Sequence, residues 1–290
     1  MTPLDDFDAL CRAQNTAQIS ISKDGEVVFD ATYFDQVIDV FAVQKGILSI
    51  LIAIAETRYF LERYDAMNHI LTPEWTQLSK PDEASLTVEI LMNMTTGMDD
   101  ALKAKGIIGQ DWRYNNVAYQ KLKEALEIQT GLTLQTITEQ WLLTPLGLSK
   151  LTWETRPADK AGHCFSAIHT NAQTLRAIGD GLLSQHLVEP SYLDQLETPS
   201  TSTNPAWSLL WWTNRAKAHQ VPGKSDRVER PLLPAAPDDL ISARGLMGQH
   251  LSISRQHNLV VAQTRLGGNP GTARVPGETE FWSSVTDLFC

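Results

Sequence analysis

The stretch Val40-Phe41-Ala42-Val43-Gln44-Lys45-Gly46-Ile47-Leu48-Ser49, which runs on to Ala55, decides how the chain is read. It is a long apolar run with one lysine near its start. It therefore predicts a helix over 41–57 that carries a single charge into the interior. An ammonium buried without partners is expensive, and a lysine so placed tends to lose its proton. Lys45 is thus either a member of a structural ion pair or a tuned base, and the rest of the chain can be arranged around it.

Outward from this helix the two ends read as strands and the middle as helices. Residues 4–15 predict a short helix, and 17–22 alternate apolar and polar as a half-exposed strand does. Lys23-Asp24-Gly25 is a hairpin turn leading into a second strand over 26–33. Between 42 and 200 the chain reads as mostly helical, with helices at 86–92, 116–130, 136–143 and 170–183. Gly131 closes the second of these, and a loop over 106–116 carries Trp112 and Tyr114. Strand character returns at 206–213 and in a hairpin of 248–254 with 258–266, followed by a closing helix over 279–289. The polar, proline-bearing segment 215–240 reads as a surface excursion, and Gly267-Gly268-Asn269-Pro270-Gly271 as a turn. The predicted fold is α/β, of the α+β kind. An antiparallel sheet built from the N- and C-terminal segments is flanked by helices, and a mainly helical subdomain is inserted. It is one domain over 1–290, with a sheet part at 1–41 and 206–290 and a helical part at 42–205. A site would lie where sheet and insert meet.

A chain of 290 residues with 42% hydrophobic and 20% charged residues is ordinary for a globular protein with a sizeable core. The formal charge of −10 argues against nucleic acid or an anionic membrane as partner. Cys11, Cys164 and Cys290 are far apart and odd in number, so they form neither a disulfide framework nor a metal site. The seven histidines are scattered, and no metal or other cofactor is expected. The acidic start lacks the pattern of a signal peptide, and the apolar run is too short to span a bilayer, which predicts a cytoplasmic protein.

Several blocks in register carry a resemblance over roughly 15–267. These are Phe41-Ala42-Val43-Gln44-Lys45 opening an apolar helix, and Leu86-Thr87-Val88-Glu89-Ile90-Leu91-Met92-Asn93-Met94-Thr95-Thr96-Gly97. They continue with Trp112-Arg113-Tyr114-Asn115-Asn116, Pro145-Leu146-Gly147-Leu148 and Ala243-Arg244-Gly245-Leu246-Met247-Gly248-Gln249. In these the chain resembles the serine β-lactamase-related family, which holds class C β-lactamases, D-Ala-D-Ala peptidases, family VIII esterases and 6-aminohexanoate-dimer hydrolase. The resemblance implies a Ser-x-x-Lys pair on the first helix, where residues three apart share a face and a neutral lysine takes the hydroxyl proton. The matching positions are Ala42 and Lys45, so the nucleophile position has no hydroxyl. Either a serine has been replaced to trap a ligand or the protein is a natural pseudoenzyme. The intact surrounding blocks favour a hydrolase scaffold with its nucleophile removed.

By the same resemblance Tyr114 relays a proton to the leaving group, with a pKa lowered by the nearby ammonium, and Asn116 binds Lys45 or the substrate. Asn115 or Asn116 also serves as N-cap of the following helix. Ala243 stands where the family places a lysine or histidine that recognises a carboxylate, which turns the expectation toward neutral esters or amides. Arg244, on the opposite face of the strand, is a doubtful substitute. Gly245 permits close approach, and the amides of Ala42 and Leu246 would form the oxyanion hole. Trp211 or Trp212 borders the pocket, with Trp211 taken as the substrate-binding residue. Two other serines deserve weighing. Ser49, one turn deeper, reads as a packing residue. Ser20-Ile21-Ser22-Lys23 fits the spacing, but strand alternation splits it across two faces. The expected activity is acyl transfer on a small-molecule ester or amide. The alternatives are a binding protein for an acyl ligand or protein partner, and a biosynthetic acyltransferase or cyclase.

Overall fold

In the computed structural model, which describes residues 2–159, 161–184, 187–224, 226–267 and 277–290, the strands at the two ends of the chain pair into one sheet. The strands are β1 (Thr16–Lys23), β2 (Glu26–Thr32), β3 (Ile38–Asp39), β4 (Leu151–Thr155), β5 (Ser166–Thr170) and β6 (Trp207–Ser208). They continue with β7 (Trp211–Thr213), β8 (His219–Gln220), β9 (Arg227–Val228), β10 (Ile241–Arg244), β11 (His250–Ser254) and β12 (Leu259–Arg265). The helices are α1 (Pro3–Ala13), α2 (Gln44–Thr57), α3 (Met67–Ile70), α4 (Lys80–Ala84) and α5 (Val88–Met92). After them come α6 (Asn116–Thr130), α7 (Leu134–Thr138), α8 (Ala172–Leu183), α9 (Pro190–Glu197) and α10 (Glu278–Phe289). The main sheet is seven-stranded and antiparallel in the order β2-β1-β12-β11-β10-β7-β6. The predicted turn over 267–271 lies outside the described residues apart from Gly267.

Local chemistry accounts for many of the joints. Asp24 and Gly25 have φ of 53° and 81°, the positive pair that a two-residue hairpin needs. Asn115 caps α6 by accepting from the Ala118 amide, and Gly131 ends it at φ 69°. The large core lies around α2, whose residues from Gln44 to Ala55 are all buried. A second core joins α1 and α10 to the sheet through Phe7, Ile19, Ile21, Val261 and Phe281.

Four expectations change. β1 is buried on both faces, not half-exposed. Its polar positions face protein: Gln18 Nε2 donates to the carbonyls of Phe34 and Gln36 at 2.6 and 2.7 Å, and Ser22 bonds Asp180 of α8. The mostly helical stretch expected over 42–200 also holds two strands, β4 and β5, which join β3 from just before it in a three-stranded sheet. The segment 206–213 is a tight hairpin, not one strand, with Leu209 and Leu210 at φ 46° and 72°. Leucines are poor turn formers, so the turn is imposed from outside. The Leu209 amide donates to Asn93 Oδ1 at 2.9 Å, and the Leu210 amide to the Met92 carbonyl at 3.0 Å. Lastly, 215–240 is not merely a surface excursion, since Ala216, Ala218, Leu233 and Leu240 are buried.

α2 seats on the sheet through Gly46. A Cβ there would lie 2.5 Å from Ala243 Cβ and 2.9 Å from Trp211 Cε2. Gly46→Ala is therefore expected to lower the unfolding free energy by about 1–2 kcal/mol in a urea titration, because overpacking outweighs the helix propensity that alanine adds. An unchanged midpoint would mean that α2 has room to slide. Among the described residues no helix is long and apolar enough to cross a membrane.

Candidate active site

The head of α2 is held in a strained turn. Phe41 sits at φ 50° in a 3₁₀ turn, Phe41–Val43, that carries the chain from β3 into α2. A non-glycine residue there costs about 1–3 kcal/mol and persists only where its surroundings over-determine it. They do so here. Asp39 Oδ1 accepts the Phe41 amide at 2.7 Å, and Arg156 grips the same carboxylate with two bonds of 2.6 and 2.7 Å. The Arg156 guanidinium also lies 5.0 Å from the Phe41 ring centroid. The turn places Ala42 at the edge of a cleft of about 1040 Å³.

Ala42, Lys45, Tyr114, Asn116, Gly245 and Leu246 all line this cleft, so residues far apart in the chain meet there. Ala243 and Trp211 do not. Ala243 is 1% exposed and packs on Gly46, and Trp211 is wholly buried behind the same glycine. Their neighbours Arg244 and Trp212 line the cleft instead. Strand alternation is the reason for both shifts. Arg244 does turn away from α2, but the cleft continues round to the start of α10, where Arg244 pairs with Glu278. Gly245 is pressed against the Phe41–Val43 turn: a Cβ would run into the Val40 carbonyl and lie 3.2 Å from the Ala42 nitrogen. The former surface excursion supplies another wall through His219, Val221, Leu232 and Pro234.

Lys45 is 4% exposed. Its Nζ donates to Asn116 Oδ1 at 2.8 Å and lies 4.2 and 4.7 Å from the ring centroids of Tyr119 and Tyr114. No carboxylate of the described residues lies within ion-pair distance of it, so Lys45 is not a member of an ion pair. Burial, with a smaller push from Arg156, lowers its pKa to about 7. The two asparagines divide the labour: Asn115 caps α6 and donates to the Asp99 carbonyl at 2.8 Å, which frees Asn116 for Lys45. The block ending in Thr95-Thr96-Gly97 supports this loop, with the Met94 carbonyl accepting from the Arg113 amide at 2.8 Å.

Tyr114 corrects the sequence expectation. Its phenol pKa is raised by burial, not lowered, and Arg156 opposes the rise only in part. Tyr114 is a protonated phenol braced by Trp112 and Trp207, with ring centroids at 6.2 and 5.8 Å. Ser49 is more than packing, since its Oγ donates to the Leu209 carbonyl at 2.6 Å and meets Tyr192 Oη at 2.7 Å. Lys23 reaches the Phe289 carbonyl at 2.5 Å, remote from the cleft.

Arg156, Gln44, Tyr119 and Lys123 were missed. A signal for two of them existed: Asn116, Tyr119 and Lys123 follow the i, i+3, i+7 spacing of one helix face, which puts a lysine among apolar neighbours.

Comparisons with known proteins bear on the fold. The chain superposes on a beta-lactamase from Mycobacterium bovis with a TM-score of 0.70 at 15% identity, covering 100% of both chains. It superposes on a penicillin binding protein from Bacillus halodurans with a TM-score of 0.70 at 12% identity, covering 98% of this chain and 99% of the other. For EstCE1, a hydrolase with promiscuous acyltransferase activity, the TM-score is 0.71 at 11% identity, with 98% and 97% covered. At such identities the likeness is one of fold. No curated protein sequence matches the chain. The profile of the Beta-lactamase family, however, matches residues 7–265, nearly the whole length, and the chain belongs to that family.

Proposed function

We propose that the chain is the scaffold of a serine hydrolase acting by acyl transfer on a small-molecule ester or amide, with Ala42 standing where the nucleophilic oxygen belongs. One observation carries this reading: Lys45 is a buried amine near neutrality, without a carboxylate, one helical turn from Ala42 and open to the cleft. A hydroxyl at position 42 would give its proton to the Lys45 amine while its oxygen bonds the acyl carbon. The protonated Tyr114 suits the donor of a proton to the departing group. The amides of Ala42 and Leu246 are the candidate oxyanion donors, and Phe41, Trp212 and Leu232 form apolar walls for the acyl part. The chain as it stands would bind such a ligand without acylation.

The test is covalent. Ala42→Ser is treated with a fluorophosphonate probe and the adduct is mapped by mass spectrometry. Labelling at position 42 that is absent from the parent chain is the expected result. A folded Ala42→Ser protein that takes no label would favour a binding protein instead.

A further inference from the structure

The two partly buried guanidinium groups of the cleft wall each come with a carboxylate from the fold. Arg156 is bound by Asp39, and Arg244, at the end of β10, by Glu278, the first residue of α10. Arg244 and Glu278 both line the cleft, with side chains 17% and 23% exposed. Among the described residues Glu278 is the one ion-pair partner of Arg244, and Nη1 of Arg244 is buried with no acceptor. His250, opposite Arg244 on β11, is neutral, because burial and the charge of Arg244 push its pKa down to about 3. The remaining charged groups of this end are Glu280, exposed on α10, and Arg230, exposed on the 215–240 wall.

The start of α10 fixes Glu278 in this place. Gly277 lies at φ 73°, where a Cβ would run into the Gln14 side chain, and Gln14 Nε2 donates to the Gly277 carbonyl at 2.9 Å. An acid in the first turn of a helix is also stabilised by the helix dipole. Glu278 is further the carboxylate acting on Arg265, which is buried in β12. A ligand carboxylate seeking Arg244 must compete with one that is already anchored, and its own charge would lie beside that of Glu278. At about 7 Å and an effective dielectric of about 20, the repulsion weakens binding by on the order of fiftyfold. Solvent at the partly exposed Glu278 reduces this, so about tenfold is the effect to read. An uncharged ester or amide meets no such repulsion.

We propose that Glu278 is a specificity-determining residue: as an internal carboxylate it occupies the guanidinium of Arg244, so the cleft takes esters and amides that are uncharged at the α10 end and turns away those that carry a carboxylate there. This rests on the reading of the cleft as the binding site of an ester or amide. It adds which end of the ligand must be uncharged, and why Arg244 does not stand in for a cation at Ala243: its charge is satisfied within the fold.

The experiment compares matched ligands by ligand-observed NMR: N-benzoyl ω-amino acids with one to four methylenes, each against its primary amide. The native chain is expected to bind the best amide about tenfold more tightly than the corresponding acid. Glu278→Gln should tighten the acid by about tenfold and move the amide less than twofold, because it frees Arg244 without changing the size of the side chain. Adding Arg244→Gln should remove most of that gain. Glu278→Ser serves in the same way if the glutamine variant does not fold. A merely structural Glu278 would move acid and amide together. An acid that binds Glu278→Gln no better than the native chain, a gain undiminished by Arg244→Gln, or a native chain that binds acid and amide alike overturns the proposal. Binding needs no nucleophile, so the result can be read whether or not Ala42→Ser is acylated.

Discussion

Ala42→Ser is expected to raise turnover of a p-nitrophenyl ester by on the order of a thousandfold or more over the parent chain, because nucleophile and base act as a unit. The surrounding parts are already in place: the strained turn at Phe41, the Asn116 bond to Lys45 and the close approach of Gly245 do not involve the missing oxygen. The gain should depend on Lys45. In the Ala42→Ser background, Lys45→Met should remove about 10²–10⁴ of the rate, the range of a positioned base. The pH profile has a definite sign. The base must be unprotonated, and its pKa is about 7, so the rate should rise with pH and level off above that value. Stopped-flow measurement of the acylation burst between pH 5.5 and 9 reads both the amplitude and the midpoint. A rate that is flat across that range, or that falls as pH rises, would remove Lys45 from the base role.

The same lysine is expected to weaken the fold. Its pKa is about 7 when folded and roughly 10.4 in a free chain. Between those values the unfolded chain binds a proton that the native chain lacks, so stability should increase as pH rises from about 7 to about 10. Below the folded value both states are protonated and the penalty is at its greatest. Lys45→Met keeps a side chain of similar length and removes the charge. The lost Asn116 bond and ring contacts must be set against the relief. The net is a gain on the order of 3 kcal/mol at neutral pH, shrinking toward pH 10. Guanidinium unfolding at pH 7 and pH 10 checks this. If Lys45→Met is the less stable protein at pH 7, the lysine is charged and well paired in the fold. Destabilised catalytic groups are common where function has been retained against stability.

Much of this was legible from residues alone. The helical run at 41–57 with one lysine, the Asp24-Gly25 hairpin, the Gly131 stop and the strands near the C-terminus all rest on short-range periodicity and turn chemistry, which act within a few residues. That residue 42 carries no hydroxyl is likewise a matter of spelling, and Asn116 meets Lys45 as its motif implied. Tertiary structure decided the rest. Strand alternation separates Trp211 from Trp212 and Ala243 from Arg244, but which face meets the cleft depends on where α2 and α10 lie. The Leu209–Leu210 turn contradicts local preference and exists because Asn93 and Met92, far back in the chain, bind its amides. The protonation of Tyr114 and the lowered pKa of Lys45 depend on desolvation and on the charge of Arg156, brought in from another element. Periodicity says which side chains share a face. What covers that face, and hence which groups lose water and which charges meet, is set by segments distant in sequence, and that is why the chemistry of the site emerges only from the folded chain.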